Sequence, residues 1–283
     1  YDDGRAFAAV GVVWPRALAH AEALLARLGA TLPADTPVVV GMRNDGPGAR
    51  GARLLERHLS ALTIERARGR RRIAVGKLRP ALPPVAKSHR GPDGIQIWSH
   101  AGVFAHGRVD EGATRLIDAL AFAELPPGRV VLDLGCGDGT LGVVAAGRTG
   151  AAKVIFVDDD VMAVDAARLT FDAAFAAPEG GLAANAPVAD YVHACDLDSI
   201  AARSVDLVVC NPPFHDGAAM TRATAARMFA DAARVLDGNG SLLVVGNRHL
   251  DYDTRLLRHF AAVHVVAADR AFVVLRARHP RRS

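Results

Sequence analysis

The chain has 283 residues, 51% of them apolar and 23% charged, which fits one large globular domain or two modest ones. No apolar run approaches the roughly 20 residues needed to cross a bilayer. The longest candidate, Ala6–Trp14, is closed by Pro15 and Arg16, which excludes an anchor or signal peptide on this reading and makes the cytoplasm the default. Cys136, Cys195 and Cys210 lie far apart, with no close Cys/Cys or Cys/His spacing, so neither a disulfide framework nor a metal site is expected.

Charge is unevenly spread along the chain. Residues 1–90 hold 16 Lys+Arg against 7 Asp+Glu, whereas 91–283 hold 18 against 23. The densest basic run, "ERARGRRR" (65–72), can supply phosphate contacts to a nucleic acid or sit as a solvated loop. The chain starts at Tyr1 without a methionine and reads as a fragment or a trimmed product.

In chain order, helical apolar spacing predicts a helix over Ala17–Leu28, a short buried strand over Pro37–Val40 and a second amphipathic helix over Ala52–Leu62. "RPALPPVAKSHRGPDG" (79–94), with Pro80, Pro83, Pro84 and Pro92 among glycines and charges, has the composition of a linker. Behind it, "RVVLDLGCGDG" (129–139) reads as a strand running into a glycine turn, and Thr140–Ala146 as the start of a helix. "KVIFVDDD" (153–160) is a second strand ending in acids, followed by a helix over Val161–Phe175 and a strand in "YVHACD" (191–196). "SVDLVVC" (204–210) is a fourth strand, Thr221–Leu236 a long helix and "SLLVVGN" (241–247) a fifth strand. Asp253–Phe260 reads as a short helix, and "VHVVAA" and "AFVVLRA" as two closing strands.

Alternating strands and helices predict a mostly parallel sheet covered on both faces. The last two strands leave no room for a crossover helix and must form an antiparallel hairpin. That layout resembles the class I S-adenosylmethionine-dependent methyltransferases. No clear internal repeat stands out, although the first segment is readable as a worn copy of the second.

Two stretches carry chemistry. In "DLGCGDG" (133–139) Asp133 ends a buried strand, and Gly135, Gly137 and Gly139 permit positive φ and close backbone approach to a ligand. Asp158 ends the next strand about 20 residues on, where an acid can grip two ribose hydroxyls. A dinucleotide is the obvious competitor, but Asp133 and Asp138 would repel a pyrophosphate while suiting an amine and a sulfonium. Asp196 either lies near an adenine amino group or caps a helix beginning "LDSIAARS".

The second stretch is "LVVCNPPFHDG" (207–217), a buried strand that ends in Asn211, Pro212, Pro213 and Phe214. Parallel strands deliver their carboxyl ends to the ligand crevice, and prolines stiffen the chain while leaving carbonyls free as acceptors. An exocyclic amine is a poor nucleophile because its lone pair is delocalised into the ring. The Asn211 side-chain oxygen and the Pro212 carbonyl, accepting its two N–H bonds, would hold that lone pair toward a methyl donor, and Phe214 can stack on the base. The plainer reading is a strand stop with a core phenylalanine. His215 and Asp216 either touch the edge of the base or cap the next loop.

With these residues in place, the chain resembles the bacterial ribosomal RNA guanine-N2 methyltransferases, which carry two tandem methyltransferase-like domains of which the second binds the cofactor. The resemblance covers most of residues 98–278, through "VFAHGRVDEGATRLIDAL", "DLGCGDG", "VDDDVMAV" and "NPPFHDG" in family order. "GNRHLDY" (246–252) and "FVVLRA" look most like the branch acting on large-subunit rRNA, while "NPPFHDG" occurs in the small-subunit branch as well.

The resemblance implies a class I fold with a seven-stranded sheet, a degenerate N-terminal domain over 1–87 and a cofactor-binding catalytic domain over 88–283. It implies Asn211, Pro212, Pro213 and Phe214 as the catalytic motif. Asp133, Gly135, Cys136, Gly137, Asp158, Asp196 and Asn211 would line S-adenosylmethionine. Val109–Gly112 would close over the cofactor or simply start a helix. Ribosomal RNA is the implied partner, with neither membrane nor metal, for a chain acting as a monomer. The first domain, whose "VVVGMRNDGPGARG" (38–51) keeps a strand and a glycine turn without such acids, would dock RNA or serve as scaffold. Rivals are methylation of adenine N6 or of glutamine N5, or an RNA-binding protein without activity.

Overall fold

In the computed structural model, the residues described are 8–15, 18–43, 48–67, 69–122, 129–175, 186–213 and 218–281. They form two compact units, one of residues 1–86 with 100–102 and one of 87–99 with 103–283.

The first unit runs β1 (Val10–Val13), α1 (Leu18–Thr31), β2 (Pro37–Arg43), α2 (Gly48–His58), β3 (Leu59–Ala67) and β4 (Arg71–Leu78). Its sheet has the order β1-β2-β4-β3, with β1 parallel to β2 and the other pairs antiparallel. One face packs on the helices through Val38, Val40, Ala74, Leu25, Leu54 and Leu55.

Two expectations are corrected here. The second helix ends at His58 rather than Leu62, because Leu59 pairs with Leu78 and commits the chain to β3. The described residues of "ERARGRRR" lie in β3, in β4 and in the turn at Gly69 and Arg70 rather than in an open loop, with Glu65 opposite Ile73 and Arg66 opposite Arg72.

The second unit opens with a hairpin, β5 (Lys87–Arg90), which lies inside the stretch expected to be a linker, and β6 (Gln96–Ser99), just beyond it. It is held to the domain where the Thr170 hydroxyl accepts from Trp98 N at 2.9 Å and donates to Trp98 O at 3.2 Å. Next come α3 (Glu111–Ala119), β7 (Val130–Leu134), α4 (Thr140–Thr149), β8 (Lys153–Asp158), α5 (Val161–Phe175) and β9 (Val188–His193). The unit ends with β10 (Val205–Cys210), α6 (Ala218–Val235), β11 (Leu236–Asn247), α7 (Tyr252–Leu256), β12 (Phe260–Ala268) and β13 (Phe272–Pro280). α7 is shorter than the predicted Asp253–Phe260, since Phe260 already pairs with Pro280.

The seven strands lie in the order β12-β13-β11-β10-β7-β8-β9. β9, β8, β7, β10 and β11 are parallel, and β12–β13 is the expected antiparallel hairpin. Successive side chains on a strand face opposite sides, and both sides are packed. Val131, Val154, Phe156, Val209 and Val245 share one core, and Leu132, Ile155, Val157, Val208 and Val244 the other. Burying a side chain such as Phe156 contributes about 1.5–3 kcal/mol, which explains why these strands are near-continuous apolar runs.

The order also locates the ligand crevice. From β7 the chain proceeds outward through β8 and β9 on one side, then returns to place β10 and β11 on the other. Ligands bind at such a switch point, beyond the carboxyl ends of the strands, here at the tips of β7 and β10.

The first unit repeats half of this arrangement. Its strand–helix–strand–helix–strand–strand string and its order β1-β2-β4-β3 match β10-β11-β13-β12 in both connection and direction. "VVVGMR" in β2 therefore corresponds to "LVVGNR" in β11, and not to the glycine-turn strand β7 with which it was compared on sequence.

Candidate active site

Strand register brings the site together. Cys210 pairs with Leu134, Leu134 with Val157, and Asp158 with His193, so Asn211, Gly135 and Asp158 stand at neighbouring strand tips.

The glycine turn is shaped by left-handed backbone: φ is +73° at Gly135, +54° at Gly137 and +78° at Gly139, values that disfavour any side chain. Gly139 fits closely, since a Cβ there would lie 2.7 Å from the Cα of Ala167. A Cβ at Gly137 would meet nothing within 4 Å, so this residue faces open space.

Four of the turn's N–H groups have partners within the protein. Gly135 N and Cys136 N donate to Val157 O at 2.9 and 3.0 Å, Gly137 N to Asp158 Oδ2 at 2.9 Å, and Gly139 N to Cys136 O at 2.8 Å. A pyrophosphate cradle needs such donors free. With these four N–H groups engaged, what the turn offers to a ligand is the bare surface at Gly137.

The acids split into inward and tip positions. Asp133 is fully buried, and its Oδ2 accepts from Gly142 N at 2.7 Å, tying β7 to the first turn of α4. Its Oδ1 has no partner among the described residues. Burial pushes this carboxyl well above the ordinary carboxylate value, opposed by the Gly142 N–H and reinforced by the charges of Asp138 and Asp158. Asp138 also turns inward, accepting from the Thr140 hydroxyl at 2.6 Å and Thr140 N at 3.2 Å. Burial raises it as well, against those two bonds. Cys136 contributes its side chain to the core, and burial raises its thiol.

Asp158 lies at the tip of β8, half-buried. Besides Gly137 N it holds Asp160 N on Oδ1 at 2.9 Å. Burial raises its carboxyl against these bonds. Asp196 accepts from Asp198 N at 3.2 Å in a run of bends and turns. No helix begins there, so the helix-cap reading is corrected to a local turn cap.

Asn211 is half-buried. Its Nδ2 donates to Asp110 Oδ2 at 3.1 Å, across 101 positions of sequence, while its Oδ1 is closed to solvent and has no partner among the described residues. Pro212 is buried and Pro213 exposed. Phe214, His215 and Asp216 lie outside the described residues. Val109–Gly112 does start a helix: Asp110 caps α3, its Oδ2 accepting from Ala113 N at 3.1 Å. Two contacts not read from the sequence complete the picture. Asp110 holds Asn211, and Gly142 makes room for Asp133 and Phe156, whose atoms would lie 2.6–2.9 Å from any Cβ there.

A mostly parallel seven-stranded sheet with a glycine turn at its switch point, an acid at the next strand tip and a terminal antiparallel hairpin defines a class I methyltransferase fold. The Methyltransferase small domain family matches residues 94–276, and the chain belongs to it.

Among relatives, the ribosomal RNA large subunit methyltransferase G of Aeromonas hydrophila is 41% identical over 208 residues, 72% of this chain and 52% of that protein. The Streptomyces coelicolor protein of the same name is 39% identical over 277 residues, 93% of this chain and 70% of that one. The chain thus spans about half the length of the first relative and about two thirds of the second. A T. thermophilus 16S rRNA N2 G methyltransferase, solved with AdoMet and guanosine, superposes with a TM-score of 0.75 at 27% identity, covering 96% of this chain and 73% of that one.

Proposed function

We infer that this chain carries the catalytic part of an enzyme that methylates the exocyclic N2 amine of a guanine in ribosomal RNA, using S-adenosylmethionine. The observation that carries the reading is Asn211: an amide at the switch-point strand tip, its nitrogen tethered and its oxygen without a partner. The names of the relatives favour large-subunit RNA as the target, and the T. thermophilus neighbour supports an N2 guanine as the acceptor.

The residues present fit the cofactor. Open space at Gly137 leaves room beside the turn, where the Gly135, Cys136, Gly137 and Gly139 N–H groups are already engaged and offer a phosphate no free cradle, while Asp158 at the β8 tip supplies acceptor oxygens. Asp158 is the acid for the ribose hydroxyls and Asp196 for the adenine edge, with Gly135, Cys136 and Gly137 forming the floor. Asp133 acts by bracing that floor from beneath. When bound, S-adenosylmethionine supplies an electrophilic methyl group on a sulfonium sulfur.

Asn211 Oδ1 and the Pro212 carbonyl accept the two amine hydrogens and turn the nitrogen lone pair out of the ring system. Pro212 and Pro213 keep that backbone rigid, and Phe214 stacks on the base. Positioning of this kind needs no metal and no second copy of the chain, and an rRNA substrate assigns the work to the cytoplasm. In the first unit, Arg66, Arg70, Arg71 and Arg72 at the hairpin tip are exposed and serve as phosphate contacts.

The test is transfer of tritiated methyl onto rRNA from a strain lacking the gene, followed by nucleoside analysis. Label in N2-methylguanosine supports the reading. Label in N6-methyladenosine or in protein glutamine replaces it with one of its rivals, and cofactor binding without transfer to any acceptor points to a protein without activity.

A further inference from the structure

We propose that Asp110 is a positioning residue that fixes which way the Asn211 amide faces; the inference rests on the functional reading above. A side-chain amide has two nearly isosteric ends, and a half-turn about its last bond would present NH2 where the reaction needs an oxygen. Something must choose between them.

Asp110 makes that choice chemically. A carboxylate carries only acceptor lone pairs. Asn211 Nδ2 donates to Asp110 Oδ2 at 3.1 Å; reversing the amide would set its oxygen against a carboxylate oxygen and repel. With the nitrogen held, Asn211 Oδ1 is the end left over, and it is the end with no partner among the described residues. A buried acceptor left unmade costs about 1–3 kcal/mol, and in this proposal the substrate amine is the donor that satisfies it.

Asp110 is itself fixed. It caps α3 with φ −69° and ψ 144°, and the same Oδ2 accepts Ala113 N at 3.1 Å. The Thr114 hydroxyl donates to Asp110 O at 3.0 Å. Downstream, Arg115 pairs with Asp269 at 2.8 Å, tying α3 to the turn between β12 and β13. Gly112 lets the start of α3 pack this closely: a Cβ there would lie 2.9 Å from Asp110 Oδ2, 3.3 Å from Asn211 Oδ1 and 3.5 Å from the Phe272 ring. The helix cap, the tether and the bare glycine together aim one oxygen.

The experiment is a double-substitution cycle in the full chain, read by kinetics and by NMR. Asp110→Ser still caps α3 but is too short to reach Asn211. It is expected to lower kcat by roughly 100-fold, as a misplaced reacting group does, with the cofactor KM moving less than about twofold. Introduced into Asn211→Ala, the same change should add no further loss, because it acts only through Asn211. Asp110→Asn keeps the size and the cap but can either accept from Asn211 Nδ2 or donate to Asn211 Oδ1, so it no longer selects one amide orientation and its kcat should fall between those of the wild type and Asp110→Ser.

NMR supplies a readout that needs no substrate. The Asn211 side-chain NH2 pair, assigned by its disappearance in Asn211→Ala, should exchange slowly in the wild type and quickly in Asp110→Ser. Additive losses in the cycle, or an Asn211 amide indifferent to Asp110→Ser, overturn the proposal. Should the NMR result hold while no guanine is methylated, the tether stands and the functional reading falls.

Discussion

The two units of this chain set the same half-sheet beside each other in sequence with different strand tips. In the first, β1 ends in Trp14-Pro15; in the second, the corresponding β10 ends in Asn211-Pro212-Pro213. The half-sheet of β7, β8 and β9, with its glycine turn, Asp133 and Asp158, has no counterpart among the described residues of the first unit. One topology is thus built once around carboxylates and an amide and once without them. A sheet of this kind is a support, and chemistry comes from what its strand ends carry.

That contrast can be broken at several points. The largest effect is expected at Gly139, where alanine would force a left-handed residue against the backbone of α5 and cost roughly 2–5 kcal/mol of stability, read by denaturant melts. Asn211→Ala should come next, lowering methyl transfer about 100-fold while calorimetry still records cofactor uptake. Trp14→Ala, its partner in the comparison, should disturb the packing of the first unit and leave cofactor affinity in place. Gly137→Ala meets no atom, so its cost in stability should be only the roughly 1–2 kcal/mol of a left-handed alanine, with the greater loss in cofactor affinity.

Asp133→Asn should change least. The amide oxygen can keep the Gly142 N–H bond, and no charge is buried. Burial raises the Asp133 carboxyl above its ordinary value near 3.8, so the folded state holds its proton to higher pH than the unfolded chain. This group therefore favours the fold most at low pH and loses that contribution as pH rises from the ordinary value through the raised one. Asp138 and Asp158 act in the same direction. Asp133→Asn should flatten that part of the stability curve, whereas Asp133→Ala should lose the brace and melt earlier.

The contrast also marks what the sequence could and could not tell. The central strands were legible because a strand covered on both faces is a near-continuous apolar run, broken only by Asp206 in Val205–Cys210 and by Asp133 in Val130–Leu134. Helix α5 was legible to its ends from helical spacing, with Ala163, Ala166, Ala167, Thr170, Phe171 and Ala174 on the buried face. β4 was not, because its inward positions, Ala74, Gly76 and Leu78, are mostly small while Ile73 and Val75 face outward, which inverts the usual alternation. The β5–β6 hairpin was hidden by proline, glycine and charge, being held by Thr170 rather than by a strand pattern of its own.

At the site, the strand-tip residues Asp158 and Asn211 could be found by spacing from a turn. The pairing of Asp110 with Asn211 could not, since a contact across 101 residues leaves no periodicity to read. The inward direction of Asp138 was equally hidden, because it depends on Thr140 and on the packing around it.

Calorimetric titration of S-adenosylmethionine into the full chain tests the central contrast most directly. The account predicts one cofactor per chain, uptake lost in Asp158→Ala and retained in Asn211→Ala. A second site, or binding indifferent to Asp158→Ala, would contradict it.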